Sequence, residues 1–162
     1  MRLRLQSRLY RVHNPPCALT PIDNRAFTLD NDPGGTAAVA RRILIIDDDD
    51  DIREVAALSL ETVAGWEVIK ASSGAQGLAR AAEQRPDAIL LDVMMPGMDG
   101  PTTFRELRKN PATASIPVLL LTAKVQGTDQ RRFADLGVEA VLVKPFDPLK
   151  LSTQISNALG WK

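Results

Sequence analysis

Cysteine and histidine are nearly missing from this chain: Cys17 and His13 each stand alone among 162 residues. A single cysteine excludes an intramolecular disulfide and a cysteine-based metal site. A single histidine, in a stretch without regular period, argues against a Ser-His-Asp or Cys-His nucleophilic triad. Long apolar runs are missing as well. No stretch reaches the ~20 residues of a membrane span. The uncharged stretch near the start is interrupted by Pro15, Pro16 and Pro21, unlike a secretory signal. Nor is there a surplus of one charge, because 20 Lys plus Arg meet 20 Asp plus Glu. Nothing global therefore points to nucleic acid or a membrane as partner. What remains is a cytoplasmic globular protein with enough chain for one full core and too little for two ordinary ones.

The balanced total hides an uneven distribution. Residues 1–40 hold five arginines (Arg2, Arg4, Arg8, Arg11, Arg25) against three aspartates (Asp23, Asp30, Asp32). Asn14-Pro15-Pro16 and Asp32-Pro33-Gly34-Gly35 break any element that might start there. Residues 1–40 are expected to form a disordered leader. A translated stretch upstream of the true start, a basic arm touching a partner or membrane surface, and an organellar transit peptide are the alternatives.

The unusual presence is a run of five aspartates, Asp47 to Asp51, directly behind the apolar run Ile43-Leu44-Ile45-Ile46. Folding does not ask for it. At roughly 5 Å and an effective dielectric near 20, each close pair costs on the order of 3 kcal/mol. Such a cluster is tolerable when some side chains face water and others hold a cation.

From Arg41 onward, apolar runs and helical periods alternate. Strands are expected at Ile43–Ile46, Trp66–Ala71, Ala88–Asp92, Pro117–Thr122 and Ala140–Val143. The first helix is expected over Asp51–Val63, with Ile52, Val55, Leu58 and Val63 at helical spacing and Gly65 at its end. Further helices are expected after Ser73-Gly74 through Glu83, after the turn Met95–Gly100 through Lys109, and over Thr128–Leu136. The last runs to Leu159, with Asp147 as N-cap and Pro148 in its first turn. Five strands and five helices in strict alternation, with the strands apolar throughout, imply a parallel α/β sheet covered on both faces. Sites in such sheets lie beyond the carboxyl ends of the strands. Those ends carry Asp47 and Asp48, Asp92, Thr122 and Lys144.

Three carboxylates in one crevice are hard oxygen ligands, suited to Mg²⁺ with water and a phosphate. Lys144 and Thr122 could serve phosphoryl oxygens. With no Ser, Cys or His nucleophile at a strand end, the candidate for covalent chemistry is a carboxylate, and Asp92 on the central strand is the best placed. Taken singly, Thr122 is an ordinary strand-end hydroxyl and Lys144 an ordinary surface amine. Asp50 and Asp51 read as helix caps and dipole partners, Asp49 as a solvated neighbour, and Asp99 as part of a turn.

Residues 41–160 resemble the response-regulator receiver domain of two-component signalling. The matching segments are Ile43–Asp49, Leu90–Gly100, Pro117–Ala123 and Val143-Lys144-Pro145-Phe146, in order and at family spacing. The resemblance implies a flavodoxin-like, doubly wound five-stranded parallel sheet of order 2-1-3-4-5 over residues 41–162. Asp92 would then be the phosphoacceptor. Asp47, Asp48, Asp92 and the main-chain carbonyl of Met94 would hold Mg²⁺. Thr122 would bind a phosphoryl oxygen, Lys144 would pair with the phosphate, and Lys144-Pro145 would be cis. The phosphodonor would be a sensor histidine kinase or a histidine phosphotransfer protein. The protein would catalyse only its own phosphorylation and dephosphorylation.

One position departs from the family's habit. Many receivers carry Tyr or Phe three residues before the lysine, where this chain has the stiff, ringless Val141. Only Gly160, Trp161 and Lys162 follow the last expected helix, which suggests a stand-alone receiver. Its output would be a protein contact through the fourth helix, fifth strand and fifth helix. Three other readings compete with this one. A phosphorylation-incompetent pseudo-receiver would bind without transfer. A haloacid-dehalogenase-like phosphatase needs a second aspartate where Met94 stands. Flavin binding needs a phosphate-cradling loop where the aspartates stand.

Overall fold

The computed structural model describes residues 40–123, 133 and 135–162. The expected leader, apart from residue 40, and most of the expected helix over 128–136 lie outside them. Five strands form one parallel sheet: β1 (Arg42–Ile46), β2 (Glu67–Ala71), β3 (Ala88–Asp92), β4 (Val118–Thr122) and β5 (Ala140–Val143). Their order is β2-β1-β3-β4-β5, which makes the fold flavodoxin-like. The described residues hold four helices: α1 (Asp50–Ala64), α2 (Gly74–Gln84), α3 (Gly100–Lys109) and α4 (Leu151–Leu159).

The apolar strands follow from the layers. Leu44, Ile46, Ile89, Leu91, Val118 and Leu120 point to one face, where Ala81, Phe104 and Leu107 of α2 and α3 meet them. Ile43, Ile45, Leu90, Leu119 and Leu121 point to the other, against Ala56, Ala57 and Leu60 of α1 and Leu151 and Ile155 of α4. A strand covered on both faces has no polar side to offer water, so β3 and β4 are buried throughout. None of the helices described is long and apolar enough to cross a membrane.

Helix α1 forms where the spacing of Ile52, Val55, Leu58 and Val63 implies, although that stripe is not its buried face, and one local expectation needs correction at the end of the chain. Val55 and Val63 are exposed and Leu58 is 62% exposed, while Ala56, Ala57, Ser59 and Leu60 face inward. The small side chains let α1 lie close to the sheet, a packing advantage that a hydrophobicity pattern does not register. At the end of the chain, Asp147 caps a turn rather than α4 itself. Its Oδ1 accepts the Leu149 N–H at 3.0 Å, its carbonyl accepts the Lys150 N–H at 3.0 Å, and α4 starts at Leu151. The Pro148 carbonyl is taken by the hydroxyl of Ser59 on α1, which ties this turn to the neighbouring helix.

Candidate functional site

The chain turns from β1 outward to β2 and then crosses back to β3 on the other side of β1. The topological switch point therefore lies between β1 and β3, where open α/β sheets leave a crevice at the carboxyl edge. Asp47 follows β1 directly and Asp92 is the last residue of β3. Both are buried, whereas Asp48 is exposed. One oxygen from each of Asp47, Asp48 and Asp92 can be chosen so that all lie within 4.8 Å of one another.

Lys144 enters from the far side. It follows β5, and its N–H donates to the Thr122 carbonyl at 2.8 Å, which fixes the start of its side chain. Its ammonium then reaches Asp47 Oδ2 at 2.5 Å and Asp92 Oδ1 at 2.9 Å. The Lys144-Pro145 bond is cis, as the resemblance implied. Thr122 ends β4, buried, one step beyond the Asp92–Leu121 register pair. Met94 lies two residues past Asp92, with its side chain 75% exposed.

The electrostatics follow from burial and these neighbours. Burial raises the pKa of the Asp92 carboxyl; the Lys144 hydrogen bond lowers it, the charges of Asp47 and Asp48 raise it further, and the net shift is upward. Burial by itself would lower the pKa of the Lys144 ammonium. The hydrogen bonds to Asp47 and Asp92 and their charges outweigh it, so its pKa lies above the ordinary value. Three carboxylates around one cation still leave an excess of negative charge. That donor set, all hard oxygen, fits a small divalent cation such as Mg²⁺, with Asp47, Asp48 and Asp92 as the side chains able to hold it.

The loop after β3 packs closely against this edge. Asp99 caps α3 by accepting the Thr102 N–H at 2.8 Å. Gly100 is required by close approach, because a Cβ there would press on the Asp92 carbonyl and stand 2.8 Å from the Val93 Cα. Within the aspartate run the roles shift by one residue. Asp49, expected to be solvated, is the N-cap of α1 and accepts from the N–H groups of Asp51 and Ile52. Asp50 and Asp51 occupy the first turn, where the helix dipole favours them. Sequence reasoning overlooks Arg53, whose Nη1 donates to the Asp47 carbonyl at 2.5 Å. A lone cation in the opening turns of a helix, directly behind five aspartates, is the signal that could have found it.

A doubly wound parallel sheet with an acid pair after β1, an aspartate ending β3 and a lysine after β5 defines a receiver-type module. The chain belongs to the response regulator receiver domain family, which matches residues 43–156. Among similar structures is the chemotaxis protein CheY4 of Vibrio cholerae, with a TM-score of 0.69 and 31% identity over 74% of this chain and 98% of that one. Another is the receiver domain of the sensor histidine kinase PA1611 from Pseudomonas aeruginosa, which has a magnesium ion coordinated in its active site cleft. It gives a TM-score of 0.67 and 29% identity over 75% of this chain and 98% of that one. The DNA-binding dual master transcriptional regulator RpaA of Synechocystis is 46% identical over 108 residues, which are 67% of this chain. The match spans 44% of the length of RpaA.

Proposed function

We propose that this receiver domain is a phosphoacceptor, with Asp92 taking a phosphoryl group from a phosphohistidine on a sensor histidine kinase or a histidine phosphotransfer protein. The observation that carries this reading is the meeting of buried Asp92 with Asp47, Asp48 and Lys144 at the switch point of the sheet. An Asp92 carboxylate oxygen attacks phosphorus, the P–N bond of the donor breaks, and its electron pair returns to the imidazole ring. Asp47, Asp48, Asp92 and the Met94 main-chain carbonyl are the groups that would hold Mg²⁺. The ion, when bound, supplies positive charge for the transferring oxygens. Lys144 pairs with the phosphoryl group, and the Thr122 hydroxyl donates to one of its oxygens.

The domain acts on no other substrate and works in the cytoplasm. Its output is a changed contact with another protein at the surface carrying β5 and α4. Val141 lies partly buried against the core there, so on β5 the phosphorylated state is read without a rotating ring.

Incubation with acetyl phosphate and Mg²⁺ should label the protein at a single alkali-labile site, and Asp92→Asn should abolish the label. Undiminished labelling of that variant would place the nucleophile elsewhere.

A further inference from the structure

Arg53 is an unexpected residue where it stands. It lies in the opening turns of α1, where a cation opposes the helix dipole, yet its side chain is only 11% exposed. Its backbone N–H makes the ordinary helical bond to the Asp49 carbonyl at 3.1 Å. Its guanidinium turns back toward the start of the helix, pairing with Asp50 and donating to the Asp47 carbonyl at 2.5 Å. A helix-stabilising pair would need only the first of these contacts. The second reaches the strand end that carries the acid pair.

That second bond fixes Asp48. The peptide unit before Asp48 is held by Arg53 on its carbonyl. The unit after it is held by Asp47 Oδ1, which accepts the Asp49 N–H at 3.0 Å. With both flanking peptide planes fixed, the backbone angles of Asp48 are set, and with them the direction of its Cα–Cβ bond, which limits where its carboxylate can reach. Asp47 itself is anchored independently, since its N–H donates to the Ala71 carbonyl at 3.1 Å and its Oδ2 meets Lys144. Asp48 is exposed, so burial does not hold its side chain.

We propose that Arg53 is a positioning residue for the cation site: its bond to the Asp47 carbonyl aims Asp48 at the cluster formed with Asp47 and Asp92. This role rests on the reading of that cluster as a Mg²⁺ site. It makes a prediction opposite in sign to simple charge screening. If Arg53 only neutralised the aspartate run, removing it would make the site more negative and Mg²⁺ would bind more tightly. If it aims a ligand, removing it loosens the site, and Mg²⁺ binds more weakly despite the extra negative charge.

Mg²⁺ affinity measured by isothermal titration calorimetry separates the two, with circular dichroism establishing that each variant is folded at the temperature used. Arg53→Gln is expected to raise the Mg²⁺ Kd by roughly three- to tenfold, just under the ten- to hundredfold loss typical of a direct ligand-supporting contact, because Arg53 acts through the backbone. Arg53→Lys keeps the charge and the stem but not the planar fork. It should raise Kd by about two- to threefold, and it keeps the question answerable if the glutamine variant does not fold. An unchanged or lower Kd in either folded variant would overturn the role. A wild-type protein that takes up no Mg²⁺ would instead sink the metal reading itself, and Arg53's part with it.

Discussion

At the carboxyl edge of the sheet, the strands lead into Asp47, Asp92, Thr122 and Lys144. At the opposite edge, Trp66 and Trp161 meet edge to face with ring centroids 5.6 Å apart, and the Arg41 guanidinium lies 4.5 Å from the Trp161 ring centroid. Both edges contain a cation in contact with groups that attract it. At the amino edge the attraction comes from an aromatic face, desolvation is shared with a large apolar surface, and every contact favours the fold. At the carboxyl edge two buried carboxylates share one ammonium, and the pKa of Asp92 is shifted upward by its surroundings. The same scaffold thus keeps its packing where the strands begin and its uncompensated charge where they end. That division is what a site held for a ligand, rather than for stability, should look like.

Substitutions at the two edges should fail in different ways. The largest contrast is at Asp92. Asp92→Asn removes all acetyl phosphate labelling, yet the metal-free variant should melt no lower than wild type. It should gain up to about 1 kcal/mol, because a carboxylate held against its preference is replaced by a neutral group of the same shape. A clear loss of stability would mean that Lys144 more than offsets the burial of Asp92.

Lys144→Ala leaves two buried carboxylates without their cation and should cost the metal-free protein about 3 kcal/mol, in the range for a broken buried pair. Saturating Mg²⁺ should recover most of that loss, because the ion and the ammonium serve the same carboxylates. Phosphorylation-driven switching should stay impaired even so. Thermal melts with and without Mg²⁺ check both statements.

Trp66→Ala should cost a comparable amount, roughly 3 kcal/mol for a buried indole, but Mg²⁺ should recover none of it beyond its effect on wild type. The Mg²⁺ Kd should also be unchanged. Recovery by Mg²⁺ there would show that the two edges are coupled and would break the comparison. The smallest effect belongs to Leu58 on the exposed face of α1. Leu58→Ala should shift stability by no more than about 0.5 kcal/mol, measured by denaturant unfolding, although hydrophobic spacing alone would have counted it as core.

Leu58 also marks where the sequence was legible and where it was not. The five strands could be read because a strand buried on both faces tolerates nothing but apolar residues, and β1, β3 and β4 show that plainly. The buried face of α1 was not legible because it is built largely from Ala56 and Ala57, whose merit is smallness. The cap was misassigned for another reason: five identical side chains carry no mark saying which of them begins the helix. Asp49 takes that place because β1 ends at Ile46 and α1 begins at Asp50. Arg53 could be suspected as a lone cation just after the aspartate run, but its partner could not be read, because that partner is a main-chain carbonyl six residues back.

By itself, the sequence determined the alternation of strands and helices and the chemistry at the strand ends, since hydrophobic period and residue type are local properties. Only the tertiary structure decided that Asp49 caps α1, that Asp47 is buried against Lys144 while Asp48 stays exposed, and that Arg53 holds the Asp47 carbonyl. Those choices depend on where each strand stops, on parallel register between β1 and β3, and on side-chain reach across the switch point. They are distances between residues far apart in the chain, which no local pattern encodes.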